Sequence, residues 1–237
     1  MALRADGSIV SWGDDDWGNI GSTPSGTGFT QISGGAIFTI ALRADGSIKT
    51  WRYPSEDPGG TGFTKVMAGG GAFLMALRAD NAGTAYCAGD GSGEVCPCES
   101  NGNAGEGCAN SGGLGGVRLS ATGNAYLLAD TLQLEVNGAP GNVPGLLFQG
   151  MNQLNAGLGN PLGDGLLCTS GQVLRSQVQV TSAGSTLFSN FQGSGFGAAS
   201  YGAGVQTNYQ FWYRDAQGTC SGSEFNLSNA WAVTWIH

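Results

Sequence analysis

The side chains of this chain best suited to chemistry are its carboxylates and its cysteines. Its 237 residues carry 17 Asp and Glu against 9 Lys and Arg, a net charge of −8, and a lone histidine, His237, as the last residue. Three acidic stretches fall in turn-like sequence: Asp14-Asp15-Asp16, Asp90-Gly-Ser-Gly-Glu94 and Asp164. Calcium takes six to eight oxygen ligands from loops of this kind. Asp90, Glu94 and Asp164 are therefore candidate metal ligands, with calcium the candidate cofactor. Asp90–Glu94 lacks the full alternating acidic loop of an EF-hand, and solvated turn residues are the competing reading.

Nucleophilic and acid–base chemistry find less support. No Gly-x-Ser-x-Gly elbow occurs, and Gly193-Ser-Gly-Phe-Gly197 has the wrong register. A Ser-His arrangement has only His237 to draw on. A glycosidase needs two carboxylates, one of them desolvated. Glu135 and Glu224 are the only ones expected on strands, and the alternation around Glu135 turns it to solvent. No catalytic residue is assigned.

Six cysteines, Cys87, Cys96, Cys98, Cys108, Cys168 and Cys220, make an even set. Cys96-Pro-Cys98 has one intervening residue, short of the spacing of a zinc knuckle, so disulfides are expected. Cys168 and Cys220 each follow an expected strand end and are expected to bridge. The other four then pair among themselves in an order that sequence leaves open. Disulfides imply an oxidising compartment, extracellular or periplasmic. The start, Met1-Ala-Leu-Arg-Ala-Asp-Gly-Ser, has no export signal, which is expected if the reading frame opens inside a longer protein. No apolar run approaches a membrane span.

Composition narrows the partners. Glycine numbers 44 and charged residues only 11%, while 41% of residues are hydrophobic. Glycine at this density supplies turns with φ > 0 and works against helices. The only lysines are Lys49 and Lys65, and without a basic cluster neither nucleic acid nor an anionic membrane is an expected partner.

The first third repeats. Ala2-Leu-Arg-Ala-Asp-Gly-Ser-Ile9 recurs at Ala41–Ile48 and, degraded, at Ala76-Leu-Arg-Ala-Asp80; Gly26-Thr-Gly-Phe-Thr30 matches Gly60-Thr-Gly-Phe-Thr64. Each unit reads as strand, Asp-Gly turn, strand and loop, with Asp45-Gly46 expected in a type I′ hairpin turn. Together with Trp12-Gly13 and Trp51, this resembles the RCC1-type β-propeller repeat. Copy two has Trp51-Arg52 where the family has Trp-Gly, and copy three has Asp80-Asn81 and no following Trp. The resemblance implies about two blades, too few to close a ring, with open apolar edges through which residues 1–80 could self-associate.

Residues 83–113 form a Gly/Cys-rich stretch without helix or strand period. Beyond it, Thr131-Leu-Gln-Leu-Glu-Val136, Gly145–Gln149, Val173–Val180, Tyr209–Arg214 and Ala230–Trp235 read as strands between turns, including Asn137-Gly138, Asp164-Gly165 and Gln217-Gly218. Alternation puts Phe211 and Tyr213 on one face and Trp212 on the other; core packing is favoured over a sugar-stacking platform. Tyr86-Cys87, Cys96-Pro-Cys98, Gly107-Cys-Ala-Asn-Ser111, Phe211-Trp-Tyr-Arg-Asp215 and Phe225-Asn-Leu-Ser-Asn229 resemble a C-terminal module of large secreted planctomycete-type bacterial proteins. That resemblance implies secretion and an end-of-chain position.

The expected fold is all-β: partial propeller blades (1–82), a disulfide junction (83–113) and an antiparallel β-sandwich of jelly-roll or Ig-like type (114–237). The expected function is an extracellular, non-enzymatic binding or scaffolding module from a larger secreted bacterial protein. Its partner would be protein or carbohydrate at a cell surface, with a homo-oligomer through residues 1–80 as a further expectation. The alternative is a calcium-dependent extracellular hydrolase with a site built from loops.

Overall fold

The computed structural model describes residues 1–16, 18, 20–35, 38–52, 57, 59–70, 73–113, 115–127, 130–191, 202–217 and 221–236. The fold is all-β, built from several antiparallel sheets without a closed barrel. It divides into two compact units, Met1–Asp80 and Asn81–Ile236. Residues 83–113 thus fall within the second unit.

The first unit contains β1 (Ala2–Leu3), β2 (Ile9–Val10), β3 (Phe29–Gly34), β4 (Thr39–Arg43), β5 (Ile48–Trp51), β6 (Phe63–Ala68) and β7 (Leu74–Arg78). β1 pairs with β2, β3-β4-β5 form a sheet, and β6 pairs with β7. The sequence repeat is a physical repeat. In the β4–β5 turn the Gly46 amide donates to Arg43 O (3.0 Å) and the Arg43 amide to Ser47 O (2.9 Å); Gly7, Arg4 and Ser8 do the same. Gly46 has φ +77° and Gly7 +78°, while Asp45 and Asp6 stay at negative φ. A type I′ turn needs positive φ at both central residues, so that expectation is corrected: the turn is type I closed by a glycine bulge. The aspartate caps it, Asp45 Oδ1 accepting from Ser47 N (2.9 Å) and Ser47 Oγ (2.7 Å).

The bulge glycine also fixes how one repeat meets the next. The Phe63 amide donates to Gly46 O (3.0 Å), as the Phe29 amide does to Gly7 O (3.0 Å). A Cβ on Gly46 would lie 2.7 Å from Gly62 N, and one on Gly7 2.7 Å from Gly28 N. Only glycine allows that approach. The side chain of Gln31 then joins the two sheets: its Nε2 donates to Val66 O (2.9 Å) and its Oε1 accepts from Val66 N (3.0 Å). Ser33 Oγ accepts from Ala68 N (2.9 Å). Beneath these bonds Ile40, Leu42, Ile48 and Val66 form one apolar cluster, and Ile9, Phe29, Ala41 and Trp51 form another.

The third copy ends differently. Aligning Ala41–Asp45 with Ala76–Asp80 sets Phe38 against Phe73, Ile40 against Met75 and Leu42 against Leu77. The first three are 1%, 1% and 6% exposed, whereas their equivalents are 54%, 51% and 63% exposed. Lys65 and Met67 stand where Gln31 and Ser33 staple, and Asn81 stands where Gly46 admits the next repeat.

The second unit contains β8 (Thr84–Tyr86), β9 (Arg118–Thr122), β10 (Gln133–Asn137), β11 (Pro144–Gly150), β12 (Asn152–Gln153), β13 (Asn160–Leu162), β14 (Gly165–Leu167), β15 (Thr169–Ser170), β16 (Leu174–Arg175), β17 (Gln179–Val180), β18 (Thr186–Phe188), β19 (Gln206–Arg214) and β20 (Phe225–Thr234). The main sheet runs β16-β11-β19-β20-β8, with β17 also on β11; a second sheet runs β18-β10-β9. Both contribute to one core. Leu119, Leu134, Val136 and Phe188 come from the smaller sheet, and Leu147, Tyr209, Phe211, Tyr213 and Val233 from the larger. Strict alternation produces this division: Leu134 and Val136 are buried between exposed Gln133 and Glu135. Phe211 and Tyr213 stack, their ring centroids 5.9 Å apart. The expected single strand over Val173–Val180 is two short strands, β16 and β17, both on β11. Between them the chain leaves the ladder at Ser176, which bonds Leu147 through both its amide (2.8 Å) and its Oγ (3.0 Å).

A matched pair of substitutions tests the repeat reading. Leu42→Ala, in a buried site, is expected to destabilise by roughly 2–5 kcal/mol. Leu77→Ala, at the equivalent exposed site, is expected to cost less than about 0.5 kcal/mol. Equal losses in urea denaturation would show that the outer face of β6–β7 is covered.

Candidate functional site

The candidate metal ligands occupy separate hydrogen-bonded settings. Asp90 closes a turn: its Oδ1 accepts from Ser92 N (3.0 Å) and Ser92 Oγ, and its Oδ2 from Gly105 N (2.7 Å). Glu94 Oε2 accepts from Asn155 Nδ2 (3.2 Å). Asp164 sits buried in the β13–β14 hairpin, its Oδ1 accepting from Ser221 N (2.9 Å). Asp15 similarly holds Ile20 N and Gly21 N within its own loop. Among the described residues no group of three or more His, Cys, Asp or Glu side chains is gathered as a metal would need. The two strand-region glutamates are also apart in role: Glu135 is exposed, and Glu224 pairs with Arg214.

The cysteines correct the expected pairing. Cys168 bridges Cys87, not Cys220, and Cys96 bridges Cys108. Cys98 is also disulfide-bonded, and Cys220 lies outside the described residues, as do Gly193–Gly197, Gly218 and His237. The reason lies in two long-range contacts absent from local sequence. β8 adds to the free side of β20 through Ala230↔Tyr86 and Ala232↔Thr84, which brings Cys87 to the main sheet. Gln210, on β19, holds the other half: its Oε1 accepts from Cys168 N (3.0 Å) and its Nε2 donates to Leu166 O (2.7 Å) and Ser228 O (2.7 Å). The junction is further fixed at Gly107, where a Cβ would come within 2.2 Å of Leu227 O.

These contacts shape a pocket on the face of the main sheet turned away from the core. The alternation that buries Phe211 and Tyr213 inward turns Trp212 outward, beside Leu146 and Phe148 of β11. The segment β13–β16 folds over this face and adds Leu162, Leu167, Thr169, Ser170, Val173 and Arg175; Leu227 comes from β20. The cavity measures about 390 Å³, near the lower end of the roughly 300–1,000 Å³ usual for small-molecule sites. Phe148, Leu227 and Thr169 are buried, while Leu162, Val173 and Arg175 are exposed. Trp212 is braced by Phe225, with ring centroids 5.7 Å apart. Thr169 Oγ1 is committed to Asn152 O (3.1 Å). The lining combines an apolar body with one cation and carries no carboxylate. Sequence reasoning missed it because its cover, β13–β16, is made of strands of two or three residues, too short to show a period.

The Asp90 turn yields a pH-dependent expectation. The hydrogen bond from the Ser92 hydroxyl, then those from Gly105 N and Ser92 N, hold the Asp90 carboxyl below its ordinary value of 3.8. A carboxyl lowered in the folded state stabilises fully above the unfolded value, and that stabilisation is lost as pH falls through the lower folded value. Asp90→Asn is therefore expected to cost about 1 kcal/mol at pH 7, with the gap to the parent closing in strong acid, below the ordinary carboxylate range. Denaturation curves under both conditions check this, and a pH-independent gap contradicts it. No family model and no solved structure matches the chain, so its function has to be read from its own residues.

Proposed function

We propose that this chain is an extracellular, non-enzymatic binding module, part of a larger secreted bacterial protein, and that its ligand site is the pocket around Trp212. The observation that carries this reading is an apolar cavity of about 390 Å³ beside a single guanidinium, set between the main sheet and the β13–β16 segment. The disulfides Cys87–Cys168 and Cys96–Cys108 support an oxidising compartment. The described residues include no helix long and apolar enough to cross a membrane. We read the first unit as RCC1-like propeller blades on the strength of its repeated turn and staple. The second we read as an antiparallel β-sandwich, on the strength of its two sheets around one core.

Binding is tested with a neutral apolar fluorophore, N-phenyl-1-naphthylamine. Saturable fluorescence enhancement at one site per chain is expected. Leu162→Arg at the pocket rim should weaken it at least tenfold, while Leu77→Arg on the first unit should leave it unchanged. Absence of saturable binding, or sensitivity to Leu77→Arg alone, overturns the assignment.

A scaffolding role is carried by the first unit. Lys65, Met67, Met75 and Leu77 line an apolar groove on the outer face of β6–β7, where the preceding repeat is covered by its neighbour. Exposed apolar sheet faces of this kind favour association. Light scattering is expected to show concentration-dependent self-association that Met75→Glu reduces. A monomer across the accessible concentration range overturns it.

A further inference from the structure

The polar groups around the Trp212 pocket are unbalanced, and the imbalance names a ligand class. Two of the main sheet's tryptophan N–H groups are used internally: Trp231 Nε1 donates to Ala82 O (2.6 Å) and Trp235 Nε1 to Thr207 Oγ1 (3.0 Å). The indole N–H of Trp212 meets no protein acceptor among the described residues. Arg175 is likewise unanswered, since the ion pairs among the described residues are Lys49–Asp57 and Arg214–Glu224. Arg4, Arg43, Lys65 and Arg118 also form no ion pair among the described residues; what distinguishes Arg175 is that it is the one charged residue lining this cavity. The hydroxyl of Thr169 already donates to a backbone carbonyl. What the pocket leaves free is therefore donor capacity, an N–H and a guanidinium, at the edge of a cavity whose floor is Phe148 and Leu227.

Arg175 is exposed and Trp212 Nε1 is not a buried unpartnered atom, so both donors are hydrated in the free protein and a ligand acceptor gains by replacing that water. A guanidinium suits a carboxylate in particular, because its planar fork matches both oxygens. We propose that the pocket takes a small amphiphilic carboxylate, its apolar body against Leu146, Phe148 and Trp212 and its carboxylate at Arg175. This inference rests on the pocket being a ligand site and specifies what enters it. The chemistry selects against a cationic amphiphile of equal length, which would place like charge at Arg175. It also ranks a neutral alcohol below the acid, because an alcohol answers the donors without the charge.

Isothermal titration of the full chain with decanoate and decyltrimethylammonium below their micellar concentrations, and decan-1-ol below its solubility limit, tests the proposal. Decanoate is expected to bind at one site per chain, at least tenfold more tightly than decanol, with no measurable binding of the cation. Arg175→Gln should weaken decanoate roughly tenfold, the order expected on losing one charge-assisted hydrogen bond at an exposed rim, and should weaken decanol by much less, since only a neutral hydrogen bond is exchanged there. Arg175 is exposed, so matched melting curves are expected for this variant. Equal affinity for acid and alcohol, or indifference of decanoate to Arg175→Gln, overturns the carboxylate inference while the apolar site stands. Binding of none of the three amphiphiles overturns the pocket assignment itself.

Discussion

A chain made of short strands has many edges, and each edge leaves backbone N–H and C=O groups that must be paired. Buried backbone groups left without partners cost about as much as lost hydrogen bonds. With glycine at 44 of 237 residues, few side chains are available to shield those groups. The structure answers with amide side chains that imitate a neighbouring strand. Gln31 bonds both backbone groups of Val66, and Asn229 bonds both of Leu119, accepting from its N (2.7 Å) and donating to its O (3.0 Å). Gln210 does the same work for the segment around Cys168. A side-chain amide carries one donor group and one acceptor, as a peptide unit does. It can thus join two sheets where a continuous ladder would force them into one.

This device explains where sequence reading succeeds and where it stops. Strands that pair in long ladders announce themselves: Gln133–Asn137 overlaps the expected Thr131–Val136, and Pro144–Gly150 and Gln206–Arg214 contain the expected Gly145–Gln149 and Tyr209–Arg214. Those whose pairing depends on a distant amide do not. β8 is three residues long and exists because β20 offers an edge 144 to 148 positions away in sequence, between Tyr86 and Ala230 or Thr84 and Ala232. The disulfide partner of Cys168 depends on that edge, so local spacing pointed to Cys220. The hairpin turn was legible as a turn at Asp45-Gly46, but its type was not. Asp-Gly fits both a type I′ turn and the final two positions of a type I turn with a bulge. The difference lies in Ala44, which the sequence repeat places before the aspartate but whose conformation sequence does not state. The candidate ligands were legible as turn carboxylates and no further: what each binds, Ser92 and Gly105 for Asp90 or Ser221 for Asp164, lies partly outside the local loop.

The first unit shows how one local rule sets a larger boundary. The close approach at Gly46 lets the next repeat seat its Phe63 amide on the turn, and Gln31 then completes the contact. Replace the glycine by Asn81 and the staple by Lys65, and the same geometry cannot be repeated. The chain enters its second unit at that residue, and Asn81 is used there, its Nδ2 donating to Thr234 O (2.7 Å). The apolar face of Met67, Met75 and Leu77 is the consequence. It retains the hydrophobic pattern of a stacked repeat without the polar features that would let another copy of the repeat stack in the same way.

β19 carries the comparable boundary in the second unit. Its inward residues, Tyr209, Phe211 and Tyr213, are aromatic and fully buried, so packing anchors the strand from one side, with Thr207 Oγ1 donating to the Tyr209 hydroxyl (3.1 Å). The outward face is then free to differ along its length. At Asn208 and Gln210 it is polar and spent on holding the covering segment, with Gln210 fixing Cys168 and Leu166. Two residues further on, at Trp212, that segment has been held at a distance and the face is apolar and open. The β-bulge opposite Phe211 puts its extra residue on β20, between Leu227 and Ala230, so it re-aims side chains of β20 while β19 keeps its alternation. The staple and the pocket thus share the outward face of one strand, Gln210 tying the cover at Cys168 and Leu166 and Trp212 lining the cavity two residues on.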